Sequence, residues 1–496
     1  MRHKGAPAGC RQTPESRSIS ELPGPARLPL VGNLHSLWRS DRATFKIEEW
    51  CRRYGPTFRL DMGPGRRHTV VLADPGDINA VMRERPDVFK RGFDIETVFR
   101  EAGNAGVFSA EGDEWRRARR LVVTALNSNH LQRYFHIVRI AGERLCARLE
   151  REAAAGEFFE IDRTLTSYSL DIVSALGFGH DMNTLERGEN ELQRHIERHF
   201  KILNRRIQSP IRYWRRLRLP SDRVWERSLA ELRQAVTGFI AEAKERMEER
   251  PELREEPENF LESMLAAREK EGKFSDEEIV GNTLTLLVAG EDTTAHTMAW
   301  TTLLLARRPD IQERWAAEAI DVLGEDRFVG KYEKVGELAY GEAVLRESMR
   351  LKSVAPLTPV EALADVTIGG VRIPAGTQLW LMFRHAGLYE SGVERALDFD
   401  PERWLEDDQQ AAPDQKSFLA FGAGPRFCPG RNLAFLEAKA GMAAIARNFE
   451  IELDESGGPV SEKMNFVMVP QNLRVRLRRR ADTVDSPLAT AASSPA

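Results

Sequence analysis

One cysteine in this chain stands where a thiol could do chemistry. Cys428 lies in the run Phe421-Gly-Ala-Gly-Pro-Arg-Phe-Cys-Pro-Gly430, a tight loop of glycines and prolines with a helical pattern directly behind it. A helix N-terminus offers unpaired N–H groups and the positive end of the macrodipole, and both favour an anion. Arg426 adds positive charge two residues away, so the thiol is expected to be acidified towards the thiolate, the form that ligates metal. Phe421 and Phe427 could screen the sulfur from water. The plain alternative is a buried structural cysteine, but such a residue needs no glycine cage. A dinucleotide fingerprint fails, because Gly422-x-Gly424 lacks the third glycine and follows no parallel-sheet strand.

Three other groupings carry chemical residues. Ala289-Gly-Glu-Asp-Thr-Thr294 interrupts a long apolar run, Ile279 to Leu305, with acid and hydroxyl side chains. Thr can back-bond to a carbonyl and Gly weakens the ladder, so a local bulge is expected there. Glu347 and Arg350 sit one helical turn apart, a spacing worth only ~0.2–0.5 kcal/mol as an exposed pair. Trp115 and Arg119, at i and i+4, share one helix face and could offer an indole N–H and a guanidinium to one carboxylate. His195 and His199 are also one turn apart, but Glu197 does not give the zinc-protease order, and the surrounding charges predict a solvated face.

These residues need helices to hold them. Apolar periodicity predicts helices over 113–126, 131–155, 161–176, 189–207, 222–249, 258–270, 276–305, 309–323 and 339–351, and a last one from Arg431 to Asn448. Ala43 to Tyr54 and Asp77 to Arg83 also read as helical. Short strands are predicted at Phe58–Met62 and His68–Leu72 around Gly63-Pro64-Gly65, and at Val366–Ile368, Val371–Ile373 and Gln378–Met382. Phe466 to Leu477 reads as a terminal hairpin turning at Pro470-Gln471-Asn472. The fold class is mainly α with a minor β-sheet region, in one large helical domain over 21–480. Residues 1 to about 20 and the tail 481–496 are expected to be disordered.

Composition narrows the function classes. Of 496 residues, 72 are Lys or Arg and 76 Asp or Glu, a formal charge of −4 that fits neither a generally basic nucleic-acid binder nor a polyacidic tail protein. The four cysteines are scattered without metal-ligand spacing, which disfavours a disulfide framework or structural zinc and fits a reducing compartment. No stretch approaches the ~18 apolar residues of a membrane span, and no signal peptide is recognisable. A cytoplasmic protein is expected.

The cysteine loop resembles the heme-binding signature of the cytochrome P-450 family, F-x-x-G-x-R-x-C-x-G, with Phe421, Gly424, Arg426, Cys428 and Gly430 at the fixed positions. Ala289 to Thr294 matches the family's oxygen-activating motif, Glu347 and Arg350 its E-x-x-R, and Pro401-Glu-Arg403-Trp404 the segment that completes it. The resemblance, to a soluble bacterial-type member, implies a heme-thiolate monooxygenase carrying heme b. Cys428 would be the axial iron ligand, with Thr293 bonding dioxygen and Asp292 in the proton relay. Trp115, Arg119 and Arg426 would hold the propionates, and Glu347, Arg350 and Arg403 would form a buried triad bracing the loop. Val360 stands where the family often has a propionate-binding arginine, and His385 is a candidate substitute.

The resemblance further implies insertion of one oxygen atom, by hydroxylation or epoxidation, into a mainly apolar organic substrate. The pocket is expected from 91–108, 200–213, 284–294, 353–360 and 467–472, including Phe93, Phe99, Phe108, Phe200 and Val354. In the family, the Arg-rich run 205–218 covers the pocket. The chain ends soon after Leu477 and has no dinucleotide fingerprint, so electrons are expected from a ferredoxin or flavodoxin-type donor with its reductase. Arg116, Arg117, Arg120, Arg431 and Lys439 are the candidate docking cations. A heme-dependent peroxygenase or isomerase is the alternative class, disfavoured by the intact Asp292-Thr293 pair. A heme sensor would need a signalling module that the sequence does not offer.

Overall fold

The apolar run ahead of Ala306 has no polar face, which suits a helix buried on all sides. In a computed structural model it forms Asp276–Ala306, started by a capping box in which Ser275 and Glu278 satisfy each other's backbone N–H groups. The structure describes residues 16–37, 43–63, 68–92, 95–103, 106–188, 191–209, 212–272, 274–405 and 418–480. This long helix packs lengthwise on Ile161–Phe178. The approach is close because position 290 is glycine: a Cβ there would stand 2.7 Å from a Val173 methyl.

Around this pair lie Phe135–Ala155, Pro220–Glu249, Ala339–Leu351 and Arg431–Asn448. Arg431–Asn448 is buried from Leu433 to Asn448 apart from Ala434, and threads the largest apolar cluster beside Trp300, Tyr168 and Leu345. Gly112–Ala125 starts near the predicted Asp113 and carries Trp115 and Arg119. The predicted helix over 131–155 is two helices, Ser128–Arg133 and Phe135–Ala155, parted at Tyr134.

The larger sheet has five strands in the order Thr57–Leu60, Thr69–Leu72, Gln378–Leu381, Thr358–Ala362, Phe89–Arg91. Only Thr69–Leu72 and Gln378–Leu381 run parallel within it; Val71 lies opposite Trp380, and Arg91 opposite Val360. A hairpin joins Val366–Ile368 to Val371–Ile373 across Gly369-Gly370, as its sequence predicts.

The terminal hairpin does not form. Met468–Gln471 pairs back onto Ser461–Met464, whereas Arg474–Arg479 joins Phe449–Leu453 and Phe159–Glu160 in another sheet. Asn472, at φ +63°, stands between the two strands where the chain changes sheet. The N-terminal arm also differs from expectation. Arg17 exchanges backbone hydrogen bonds with Gly370 and Arg372, and Ile19 and Leu22 are buried against the sheet. Residues 1–15, the tail 481–496, and Pro64 and Gly65 of the predicted turn lie outside the described residues.

Candidate active site

The cysteine loop is shaped by two glycines at positive φ, Gly422 at +70° and Gly424 at +67°. Gly424 lies against the end of the Pro75–Arg83 helix, where a Cβ would stand 2.4 Å from the Met82 carbonyl oxygen. The loop closes on itself when the Cys428 N–H donates to the Phe421 carbonyl at 2.9 Å. Arg431–Asn448 starts directly behind it.

Cys428 faces a cavity of about 300 Å³ whose far wall is the long helix at Ala289, Gly290, Thr293, Thr294 and Thr297. Trp115, Arg119, Phe421, Gly430 and Arg426 line the same space. The thiol is not acidified as expected: burial pushes it up, opposed by the Gly430 and Arg431 backbone and by the Arg119 charge. Desolvation of the anion outweighs the helix terminus and the Arg119 charge here. Arg426 is not the cation acting on the sulfur, because its guanidinium turns to Glu111 at 2.5 Å and to the Ala110 carbonyl at 2.7 Å. Phe421 lines the cavity and packs on Phe435, but Phe427 is 40% exposed and carries Arg119 over its ring instead of covering the sulfur.

On the opposite wall, the Thr293 hydroxyl donates to the Ala289 carbonyl at 2.7 Å. The expected bulge is absent, and the segment is regular α-helix throughout. Asp292 lies off the cavity lining, with its carboxylate 3.9 Å from His296 Nδ1. Burial raises its carboxyl, with His296 opposing.

Glu347 is fully buried and gathers the expected triad. Arg350 donates to its two oxygens at 2.8 and 2.6 Å, and Arg403 donates at 3.0 Å. The Trp404 indole completes the set at 2.8 Å. Arg350 also bonds the Ala396 and Asp398 carbonyls, so one carboxylate ties 394–404 to the Ala339–Leu351 helix.

Several expectations fail on burial. His385 does not line the cavity; it is buried beside Tyr389 and Glu390, and burial pushes it down to about 4. Val360 is in the sheet core. His199 is not solvated: its Nδ1 accepts from the Trp225 indole at 3.0 Å, and burial holds it down at about 4. Lys439 is buried and paired with Glu342, so it cannot serve a docking surface. Phe108 and Val354 line the cavity, whereas Phe99 packs behind Phe108. Phe93 and the Phe200 side chain lie outside the described residues.

Arg91 lines the cavity, as the expected stretch 91–108 has it, and Arg85, which the sequence reading missed, lines it too. Arg91 stacks 3.9 Å over Phe108 and donates to its carbonyl. Arg85 lies outside every motif and stretch that the sequence singles out.

These side chains suit a flat metal macrocycle with two carboxylates. A single thiol faces an apolar slot among the described residues, and two nitrogens of Arg426 (Nε and Nη1) are sealed from water without a partner among them. Arg119 points into the same slot with no ion pair to a described carboxylate. Among the described residues no cluster of three or more metal-ligating side chains exists, so a metal held here needs a further donor set.

Residues 22–477 match the sequence pattern described as Cytochrome P450. The chain belongs to the cytochrome P450 family. This P450 is 28% identical to Cytochrome P450 27C1 of Danio rerio, over 92% of its own length and 85% of that protein. It is 26% identical to Cytochrome P450 4c21 of Blattella germanica over 93% of each chain. A likeness of 26% to Protein LUTEIN DEFICIENT 5, chloroplastic, of Arabidopsis thaliana covers 90% of this chain and 76% of that one. Membership makes this P450 a heme-thiolate monooxygenase with iron protoporphyrin IX as cofactor. These relatives are eukaryotic and lend no support to the expectation of a bacterial-type member. No helix among the described residues is long and apolar enough to cross a membrane.

Proposed function

We propose that this P450 inserts one oxygen atom from dioxygen into a mainly apolar organic substrate, with electrons from a separate ferredoxin or flavodoxin-type carrier, in the cytoplasm. The observation that carries the reading is one cavity bounded by Cys428 on one wall and Thr293 on the other. The catalytic unit is the single domain 21–480.

A bound heme would supply oxygen activation, favoured by electron density from a thiolate ligand. Cys428 would hold the iron, and the loop from Phe421 to Gly430 fixes the sulfur's direction. Trp115, Arg119 and Arg426 hold the carboxylates of the cofactor. Phe421, Gly424 and Gly430 give the loop its shape against it. Thr293 presents a hydroxyl inside the cavity, already oriented by the Ala289 carbonyl. Asp292, one residue before it and off the lining, stands beside His296 as a titratable group for the proton relay, its carboxyl raised by burial and opposed by the His296 charge.

Val107, Phe108, Leu286, Ala289 and Val354 give the pocket an apolar lining, and Asn282, Thr285 and Ser353 add a few polar points. That mix favours a largely apolar ligand oriented by one or two hydrogen bonds. For the electron carrier, Arg120 is exposed on the helix that also carries Arg119, and Arg116 on the same helix is exposed but already paired with Asp87 and Asp113. Exposed cations there would act on association rate. Absorbance titration of the purified protein with terpenoids, fatty acids, macrolides and aromatic natural products tests the substrate class. Spin-state shifts with apolar members support it, and shifts only with strongly polar or charged compounds contradict it.

A further inference from the structure

Arg85 is a buried cation with no ion pair among the described residues. It follows the Pro75–Arg83 helix, lines the cavity shared by Cys428 and Arg426, and is 2% exposed. Its Nε and Nη2 atoms have no hydrogen-bond partner among the described residues, and Nη1 reaches only the Met82 sulfur at 3.7 Å, a weak acceptor. Burial and the neighbouring Arg426 charge push it down to about 10.

Glu111 is the carboxylate closest to supplying balance, and it is already engaged. Its Oε2 accepts from Arg426 at 2.5 Å and its Oε1 from the Arg91 backbone N–H at 2.9 Å. Arg85 and Arg91 thus share this committed carboxylate with Arg426, on which Glu96 also acts. A sealed guanidinium in that state is costly unless a ligand brings an anion.

Position indicates which anion. The backbone at Met82 and Arg83 touches the cysteine loop at Gly424, so Arg85 enters the cavity beside the loop and not beside Thr293. The strand Phe89–Arg91 lies next to Thr358–Ala362, with Arg91 opposite Val360. We propose that Arg85 pairs with a carboxylate of the bound heme, a positioning role alongside Trp115, Arg119 and Arg426. The proposal rests on heme binding at Cys428.

The test compares the holoenzyme with Arg85→Leu, Arg85→Gln and Arg85→Lys. Each is first checked for the carbon monoxide band of a thiolate-ligated heme. Heme loss to excess apomyoglobin and the heme reduction potential are then measured. Arg85→Leu should lose heme roughly 10-fold faster, the factor for one charge-assisted hydrogen bond. Its potential should move to more negative values because a positive charge has gone. Arg85→Lys should restore most of the potential, and Arg85→Gln should shift it as Leu does, which covers a Leu variant that fails to fold. Unchanged heme loss and potential would overturn the proposal. So would faster loss with an unmoved potential, which is packing alone, or an effect confined to carboxylate-bearing substrates. A wild-type protein without the thiolate band would overturn the cofactor site itself, a failure distinct from these.

Discussion

Gly424 meets Met82 backbone to backbone: a Cβ on the glycine would lie 2.4 Å from the Met82 carbonyl oxygen and 2.8 Å from the Arg83 Cα. Backbone cannot swing aside as a side chain can, and φ at Gly424 is +67°. Gly424→Ala should cost roughly 1–3 kcal/mol of stability and lower the heme content of the purified protein. Gly422→Ala shares the positive φ but meets only the flexible Met82 methyl at 3.2 Å, so its loss should be smaller. Thermal unfolding and heme-to-protein ratios of the two variants check the order; equal losses would contradict it.

The Glu347 network makes a second expectation. Removing its carboxylate strands Arg350 and Arg403, both buried, together with the Trp404 indole. Glu347→Ala should destabilise the protein by about 3–5 kcal/mol, as uncompensated buried charges do. Denaturant titration measures it, and a loss below ~1 kcal/mol would show that the pairs act as exposed ones.

Thr293 and Asp292 should separate in kinetics. Thr293→Ala leaves the cavity wall intact but removes its hydroxyl, so electrons should drain into hydrogen peroxide in place of product. Asp292→Asn removes a titratable group off the lining, and turnover should slow with a solvent isotope effect. Unchanged coupling of electron use to product in Thr293→Ala would contradict its role.

Burial pushes the Glu437 carboxyl up to about 8, and the Ser169 hydroxyl that donates to it pulls the other way. The folded chain therefore holds this proton more tightly than the unfolded one, whose carboxyl sits at its ordinary value of 4.5. Its stabilising contribution is complete below that value and is lost as pH rises through about 8. Thermal stability of Glu437→Gln should fall less steeply between pH 5 and pH 9 than that of the unaltered protein. Parallel curves would contradict the assignment.

Most helices were legible because their apolar residues recur at helical spacing, and Pro309–Leu323 and Ala339–Leu351 fall where periodicity puts them. The Cys428 and Thr293 walls were legible because each is a dense local motif. What failed depended on neighbours distant in sequence. Lys439 looks exposed on charge alone, yet its helix has no outer face. Pro470 to Asn472 is a turn signal, but a turn does not specify which strands flank it. His199 lies among charges and still faces Trp225. Arg85 carries no local signal, since its meaning depends on Arg426, more than 300 residues away, and on the carboxylate both need.

The central claim is that Cys428 gives its sulfur to heme iron. The difference spectrum of the reduced protein with and without carbon monoxide tests it most directly, because thiolate ligation places the band at a red-shifted position. Cys428→Ala should abolish that band, while Cys51→Ala and Cys146→Ala, both buried away from the cavity, should keep it. A band that survives in Cys428→Ala, or that disappears in Cys51→Ala or Cys146→Ala alone, would contradict the account.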